Sequence, residues 1–180
     1  AVNLPERHRS ITASFENSWK HLSSSLQQIL SVLTIFQAPF TLEAAHRVCG
    51  VNPEDIQNLA MQSLLTRDSG ENYRFHRVIY QYASEKINWK EAKSNGLGQN
   101  HANYFQEELT RGYATSAGPG YLPFLNKTEA ALADIVKSAR YLIEHRDWTR
   151  VQLMIHPLFC YFDGKGLHRD AWLVTLGTQP

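Results

Sequence analysis

The chain has 180 residues, 43% of them hydrophobic, and its 18 Lys and Arg nearly cancel 17 Asp and Glu for a formal charge of +1. That composition excludes a disordered chain, allows a sizeable core in one domain or two small ones, and favours neither a nucleic acid nor an anionic membrane surface. Two cysteines far apart in sequence, Cys49 and Cys160, lack metal-ligand or disulfide spacing and read as buried thiols in a reducing cytosol.

The opening AVNLPERHRS has no apolar run of the kind a signal peptide needs. Ile11, Phe15, Trp19 and Leu22 then fall at helical spacing, followed by Leu22, Leu26, Ile29, Leu30, Leu33 and Phe36. Residues 22–42 carry no formal charge, but their serines, glutamines and threonines make them too polar to span hydrocarbon. They read as a buried helix that ends at Pro39. Thr41 is placed to cap the next helix and Gly50 to close it in a left-handed conformation. Asn52 and Pro53 open a third helix, whose inward face is Ile56, Leu59, Ala60, Ser63 and Leu64. LLTRD and YRFH around a Ser-Gly-Glu-Asn turn spell a β-hairpin, and Val78, Ile79, Tyr82, Ala83 and Ile87 resume the helical period. Three helices, a hairpin and a helix are the order of a winged helix-turn-helix, here with an extra helix on either side, over residues 1–92.

KSNGLGQN (93–100) reads as a linker. From residue 97 to 180 the pattern is helical again. Ala102, Phe105, Leu109 and Tyr113 form one stripe, and SAGPGYLP reads as a loop. Leu132, Ile135, Val136, Ala139, Leu142 and Ile143 form a second stripe, and Trp148, Val151, Ile155, Leu158, Phe159 and Phe162 a third. DGKG turns the chain toward a last helix from His168, whose Trp172, Leu173 and Leu176 await a partner. Helices joined by short turns imply antiparallel pairs stacked as in an α-solenoid.

Catalytic signatures are missing from the string. HRD at 145–147 and 168–170 lacks the asparagine that a kinase catalytic loop needs five residues on, where Gln152 and Thr175 stand, and both triplets read as solvated helix starts. There is no GxxxxGK[ST], HExxH, paired CxxC or GxSxG, and the eight histidines show no ligand spacing. A DNA-reading helix should carry Arg, Lys, Asn or Gln toward base edges with cations nearby, whereas PEDIQNLAMQSLL has two acids and no Lys or Arg. His76, at the joint between hairpin and helix, reads either as a partly buried helix cap or as an anion contact. A helix N-terminus favours negative charge, and Arg77 would add a positive one.

LPERHRSITASFENSW, LSVLTIFQAPFTLEAAHRVCGV and MQSLLTRDSGENYRFHRVIYQYASEKI, in this order, resemble the winged-helix segment of STAND-class regulatory ATPases with NB-ARC-like modules, of the bacterial transcriptional-regulator type. EAALADIVKSARYL is similar to the acidic stretch of the tetratricopeptide-like helices that follow in that family, with Asp134, Ile135, Ala139 and Tyr141 in matching places. The resemblance implies a mainly α fold: a winged helix-turn-helix with a small β-hairpin wing, followed by antiparallel helices of a tetratricopeptide-like α-superhelix over 97–180. It implies that His76, in the place of a Met-His-Asp histidine, meets the β-phosphate of ADP with Arg77 beside it. Phe75, Arg77 and Tyr80 depart from the family, where Met, Asp and Arg are common.

The resemblance further implies that the phosphate loop and Walker acid lie upstream of Ala1. The chain itself would then be non-catalytic and cytoplasmic, would hold no cofactor or metal of its own, and would use ATP and ADP through the full-length protein. Its partners would be its own nucleotide-binding domain and an unknown protein or ligand on the helical repeats, not nucleic acid or membrane. The rival expectations are a DNA-binding winged-helix transcription factor and a helical interaction scaffold without a nucleotide link.

Overall fold

The computed structural model describes residues 19–68, 71–88 and 95–167, with residues 16 and 92 besides. The chain is mainly helical with one small two-stranded antiparallel sheet, and it divides into two units, Ala1–Asn95 and Gly96–Pro180.

In the first unit, local chemistry fixes most helix ends. α1 (Ser24–Val32) starts where the Ser23 hydroxyl accepts the Leu26 N–H at 3.3 Å, and it tightens into a 3-10 turn at Leu33–Ile35. α2 (Leu42–Cys49) is capped by the Thr41 hydroxyl, which accepts the Ala44 N–H at 3.1 Å, and closed by Gly50 at φ +68°. That φ lies in the left-handed region, where a Cβ would be strained. α3 (Pro53–Met61) begins on the proline, whose missing N–H would have had no helical acceptor; Asn52 holds the capping position without a side-chain bond.

β1 (Leu65–Arg67) and β2 (Tyr73–Phe75) pair antiparallel, Leu65 opposite Phe75 and Arg67 opposite Tyr73. The Asp68 carboxylate ties the turn by accepting the Asn72 N–H at 3.0 Å. Phe40 adds a bridge to this hairpin that the sequence reading missed, its N–H and carbonyl both bonded to Tyr73, at 2.9 and 2.7 Å. The Phe40 ring stacks on Phe36 with centroids 4.7 Å apart and lies 6.5 Å from Tyr73. α4 (Arg77–Lys86) is fastened by Tyr80, whose hydroxyl donates to the Thr34 carbonyl at 3.2 Å and whose ring meets Phe75 edge-on. Leu30, Leu33, Ala45, Ile56, Leu59 and Ala83 have no exposed surface and centre the core; each fully buried leucine or isoleucine contributes roughly 1.5–3 kcal/mol by area.

The second unit holds α5 (Leu97–Ala114), a 3-10 turn at Gly118–Gly120, α6 (Tyr121–Ala130), α7 (Leu132–Glu144) and α8 (Trp148–Gly164). α5 packs on α7, and α8 lies against both. Several sequence expectations change here. Part of the expected linker, 97–100, is already helix, because Gly96 at φ +70° turns the chain directly into α5. The tail of the expected loop SAGPGYLP is helical too: Pro123 sits in the first turn of α6, where its missing N–H breaks no helical bond. The expected stripe on α8 mixed two faces. Met154, Pro157, Leu158, Tyr161 and Phe162 are buried, while Trp148, Ile155 and Phe159 are about half exposed, at 55%, 47% and 55%. A helix apolar nearly all round gives the 3.6-residue period no contrast with which to choose the inward side. The thiols of Cys49 and Cys160 are half-buried rather than buried.

Asp147 of the first HRD triplet caps α8, accepting the Arg150 N–H at 3.2 Å and pairing with its guanidinium at 2.6 Å. The second triplet and the last expected helix lie outside the described residues.

Two glycines of α5 set up an internal control. A Cβ on Gly98 would come 2.6 Å from the Tyr141 ring of α7, whereas one on Gly112 would meet Phe124 at an ordinary 3.5 Å. Gly98→Ala should therefore lower the stability of this unit by about 1–3 kcal/mol. Gly112→Ala should be neutral or stabilising by up to about 1 kcal/mol, the helix-propensity difference. Denaturant unfolding of the two variants checks the contrast.

Candidate functional site

His76 stands where the sequence put it, as the backbone cap of α4 in an extended conformation (φ −69°, ψ 139°). Its side chain is exposed and makes no capping bond, so the partly buried cap anticipated as one alternative is not what forms. The register of the hairpin explains the exposure. Tyr73 is buried by its bridge to Phe40, Phe75 turns its ring onto Phe40 and Tyr80, and His76 is released at the surface as α4 begins. His76 accepts none of the first-turn N–H groups of α4, so the cap residue does not neutralise the positive end of the helix dipole.

Arg77 is the first residue of α4 and is exposed beside His76. Arg74, one step back on β2, is exposed as well, and the sequence reading did not single it out. The signal was there in the spacing Arg-Phe-His-Arg, in which the outward residues of a short strand and the first helical residue are all donors. The remaining cation of the hairpin, Arg67, is engaged with Glu71 at 2.8 Å. The outward side of α3 presents Glu54, Gln57, Asn58 and Met61, the last 76% exposed, and carries no Lys or Arg. At the far end of α4 a groove of about 450 Å³ opens between Lys86, Ile87 and Asn88 on one side and Trp19, Gln27 and Gln28 on another, and it does not include His76.

The second unit contains a polar cluster the sequence did not reveal. His101 of α5 and Asp134 of α7 lie 2.9 Å apart, imidazole Nε2 to carboxylate Oδ1, with 2% and 1% of their side chains exposed. The Ser138 hydroxyl, one turn along α7, lies 3.2 Å from His101 Nδ1 and donates to the Asp134 main-chain carbonyl at 2.8 Å. The residue types are those of a hydrolytic triad, and the arrangement is not. Serine and carboxylate sit on exchanged ring nitrogens, and Ser138 has no exposed surface through which a substrate would reach it. The cluster is a clasp between α5 and α7. It was hidden because His101 and Asp134 are 33 residues apart and only folding brings them together.

Burial pushes the His101 imidazole below its ordinary value of 6.5, Asp134 pulls against that through hydrogen bond and charge, and Lys137 adds to the lowering. In its neutral form Nε2–H donates to Asp134, and the Ser138 hydroxyl is shared between Nδ1 and the Asp134 carbonyl.

Among the described residues no three His, Cys, Asp or Glu side chains gather as a metal would need, and no helix is long and apolar enough to cross a membrane. Comparison with family models, with curated proteins and with solved structures finds no match for the chain.

The clasp gives the second unit a signed pH dependence. An imidazole held below its unfolded value binds its proton less readily in the folded state. Its contribution is complete above about pH 6.5 and is lost as pH falls through the lowered value. Unfolding of the second unit should become easier on acidification below about 6.5, and His101→Gln should flatten that slope. His101→Leu should cost roughly 1–3 kcal/mol or more at pH 7.5, since it leaves the buried Asp134 carboxyl without this partner. Urea midpoints between pH 5 and 8 measure both effects.

Proposed function

We propose that the first unit is a winged helix-turn-helix working as an intramolecular switch in a STAND-class regulatory ATPase. In this account the second unit is the start of a tetratricopeptide-like helical array that receives the signal. The exposed His76 at the N-terminus of α4, which makes no capping bond and is flanked by Arg74 and Arg77, carries the proposal. Imidazole N–H, guanidinium groups and first-turn main-chain N–H groups are the donors a phosphate oxygen accepts from.

The order α1, α2, α3, hairpin, α4 supports the winged-helix reading, and so does the Phe40–Tyr73 bridge, which ties the stretch before α2 to the edge of the hairpin. So does the three-residue turn 50–52 between α2 and α3. The outward side of α3 supports an intramolecular partner over a DNA duplex. A reading helix with Glu54 and Asp55 in its first turn and no basic residue in its last offers little counterion release.

The switch would work by differential contact. With ADP bound in the neighbouring nucleotide domain, His76 and Arg77 would meet its β-phosphate and hold the winged helix closed. Exchange to ATP would remove the fit and release the helix together with the array that follows it. A ligand shifts such an equilibrium only by its difference in affinity for the two states, so the His76 contact must be made in one state alone. The array's concave side would take a protein or small-molecule partner.

In the complete polypeptide that carries this chain, His76→Ala should speed ADP release about ten- to a hundredfold, the loss of one hydrogen bond to a charged group. Arg77→Ala should act in the same direction. ADP release measured by displacement of a fluorescent analogue decides it, and unchanged release in both variants removes the proposal. Gel shift of the chain at about 0.15 M salt should show no duplex binding; salt-sensitive binding there supports the transcription-factor alternative instead.

A further inference from the structure

α5 and α8 bring together three side chains that neither the clasp nor the switch uses. On α8 the Cys160 sulfur lies 3.4 Å from His156 Nδ1, one turn back on the same face. From α5, the Tyr113 ring stands with its centroid 5.1 Å from that of His156, and the neighbouring Cys160 thiol raises the pKa of its hydroxyl. His156 is exposed and Cys160 half-exposed, so a small reagent can reach the sulfur. Tyr121 of α6 seats the same turn of α8 by donating its hydroxyl to the Cys160 carbonyl at 3.2 Å.

We propose that Cys160 is a nucleophilic thiol site that exchanges with low-molecular-weight disulfides, with His156 as its base and Tyr113 as the donor that steadies the sulfur. The proposal stands apart from the nucleotide switch. A thiol reacts as thiolate, and a neighbouring imidazole that accepts its proton is the usual means of making one at neutral pH. Here the S–H proton passes to His156 Nδ1, and the Tyr113 O–H donates to the anionic sulfur. The sulfur attacks one sulfur of the disulfide R–S–S–R, the S–S bond breaks, and R–S⁻ leaves. A basic R–S⁻ takes the proton from His156, whereas an acidic one departs as thiolate and His156 returns its proton to water. The protein keeps Cys160–S–S–R.

The chain has two cysteines, and Cys49 belongs to the first unit with its thiol directed at the Val32 carbonyl, 3.8 Å away. A carbonyl accepts a hydrogen bond but not a proton, so Cys49 has no such activation from Val32. With no other thiol in the second unit, the product is a mixed disulfide with an outside thiol.

The charged and titratable groups around the sulfur set the size of the effect. Tyr113 faces it from α5 and Tyr121 lies beside it from α6, while Asp163 follows one turn later on α8, where its carboxylate and the helix C-terminus oppose a thiolate. Lys165 is engaged with Glu129 at 2.5 Å. Against that opposition stand the His156 pair and the Tyr113 hydroxyl, whose own pKa is raised by Cys160 first and by burial second.

The test uses the intact chain carrying Cys49→Ser and an aromatic disulfide whose released thiolate absorbs light. At pH 7 Cys160 should react about tenfold faster than a cysteine in an unstructured peptide, whose thiol titrates near 8.5. His156→Gln should remove most of that advantage and move the midpoint of the rate–pH profile upward, and Tyr113→Phe should move it part of the way. Circular dichroism establishes that each variant is folded. A Cys160 rate equal to that of the peptide, or a profile unchanged by His156→Gln, overturns the proposal.

Discussion

The two main-chain hydrogen bonds between Phe40 and Tyr73 set the geometry on which the first unit depends. They tie the segment before α2 to the second strand of the hairpin, so the hairpin cannot slide relative to α2. Because side chains alternate along a strand, fixing Tyr73 inward fixes Arg74 outward, and a one-residue slip would exchange them. Phe75 then closes on Phe40 and Tyr80, and the chain leaves the strand at His76 with helical N–H groups directly behind it. An exposed histidine beside main-chain donors that it does not cap is thus a product of strand register.

The second unit is organised by a different constraint. A histidine and a carboxylate buried together between α5 and α7 satisfy each other, and Ser138 joins the network. Such a clasp adds direction to the pairing of two helices that also bury the apolar Phe105, Leu109, Ile135, Ala139 and Leu142. Its lowered imidazole also makes this unit easier to unfold in acid. The Cys160 group is a surface feature of the same unit, on a helix whose buried side is set by Met154, Leu158 and Phe162.

What the sequence made legible were the features with local causes. Thr41, Gly50 and Pro53 announce helix ends through capping and backbone preference within a few residues, and each acts as expected. The hairpin was readable from its alternation around a turn, because a strand and its neighbour six to ten residues away are almost a local structure. The Phe40 bridge was not readable, since a single residue pairing across 33 positions leaves no period. The same holds for His101 with Asp134. α6 was lost because a proline near a glycine pair looks like a loop until its place in the first helical turn is known, and the inward side of α8 was lost because that helix is apolar on most sides. Of the candidate site, His76 and Arg77 were visible as residue types at a joint. Their exposure, and the company of Arg74, needed the strand register.

The account turns on where the His76 imidazole goes when nucleotide is present. A structure of the complete polypeptide with ADP bound measures it directly, as the distance from the imidazole to the nearest β-phosphate oxygen. The account predicts hydrogen-bond range, about 2.7–3.2 Å, with the N-terminus of α4 directed at the same phosphate. An imidazole still facing solvent, with α4 turned away from the nucleotide, would contradict it.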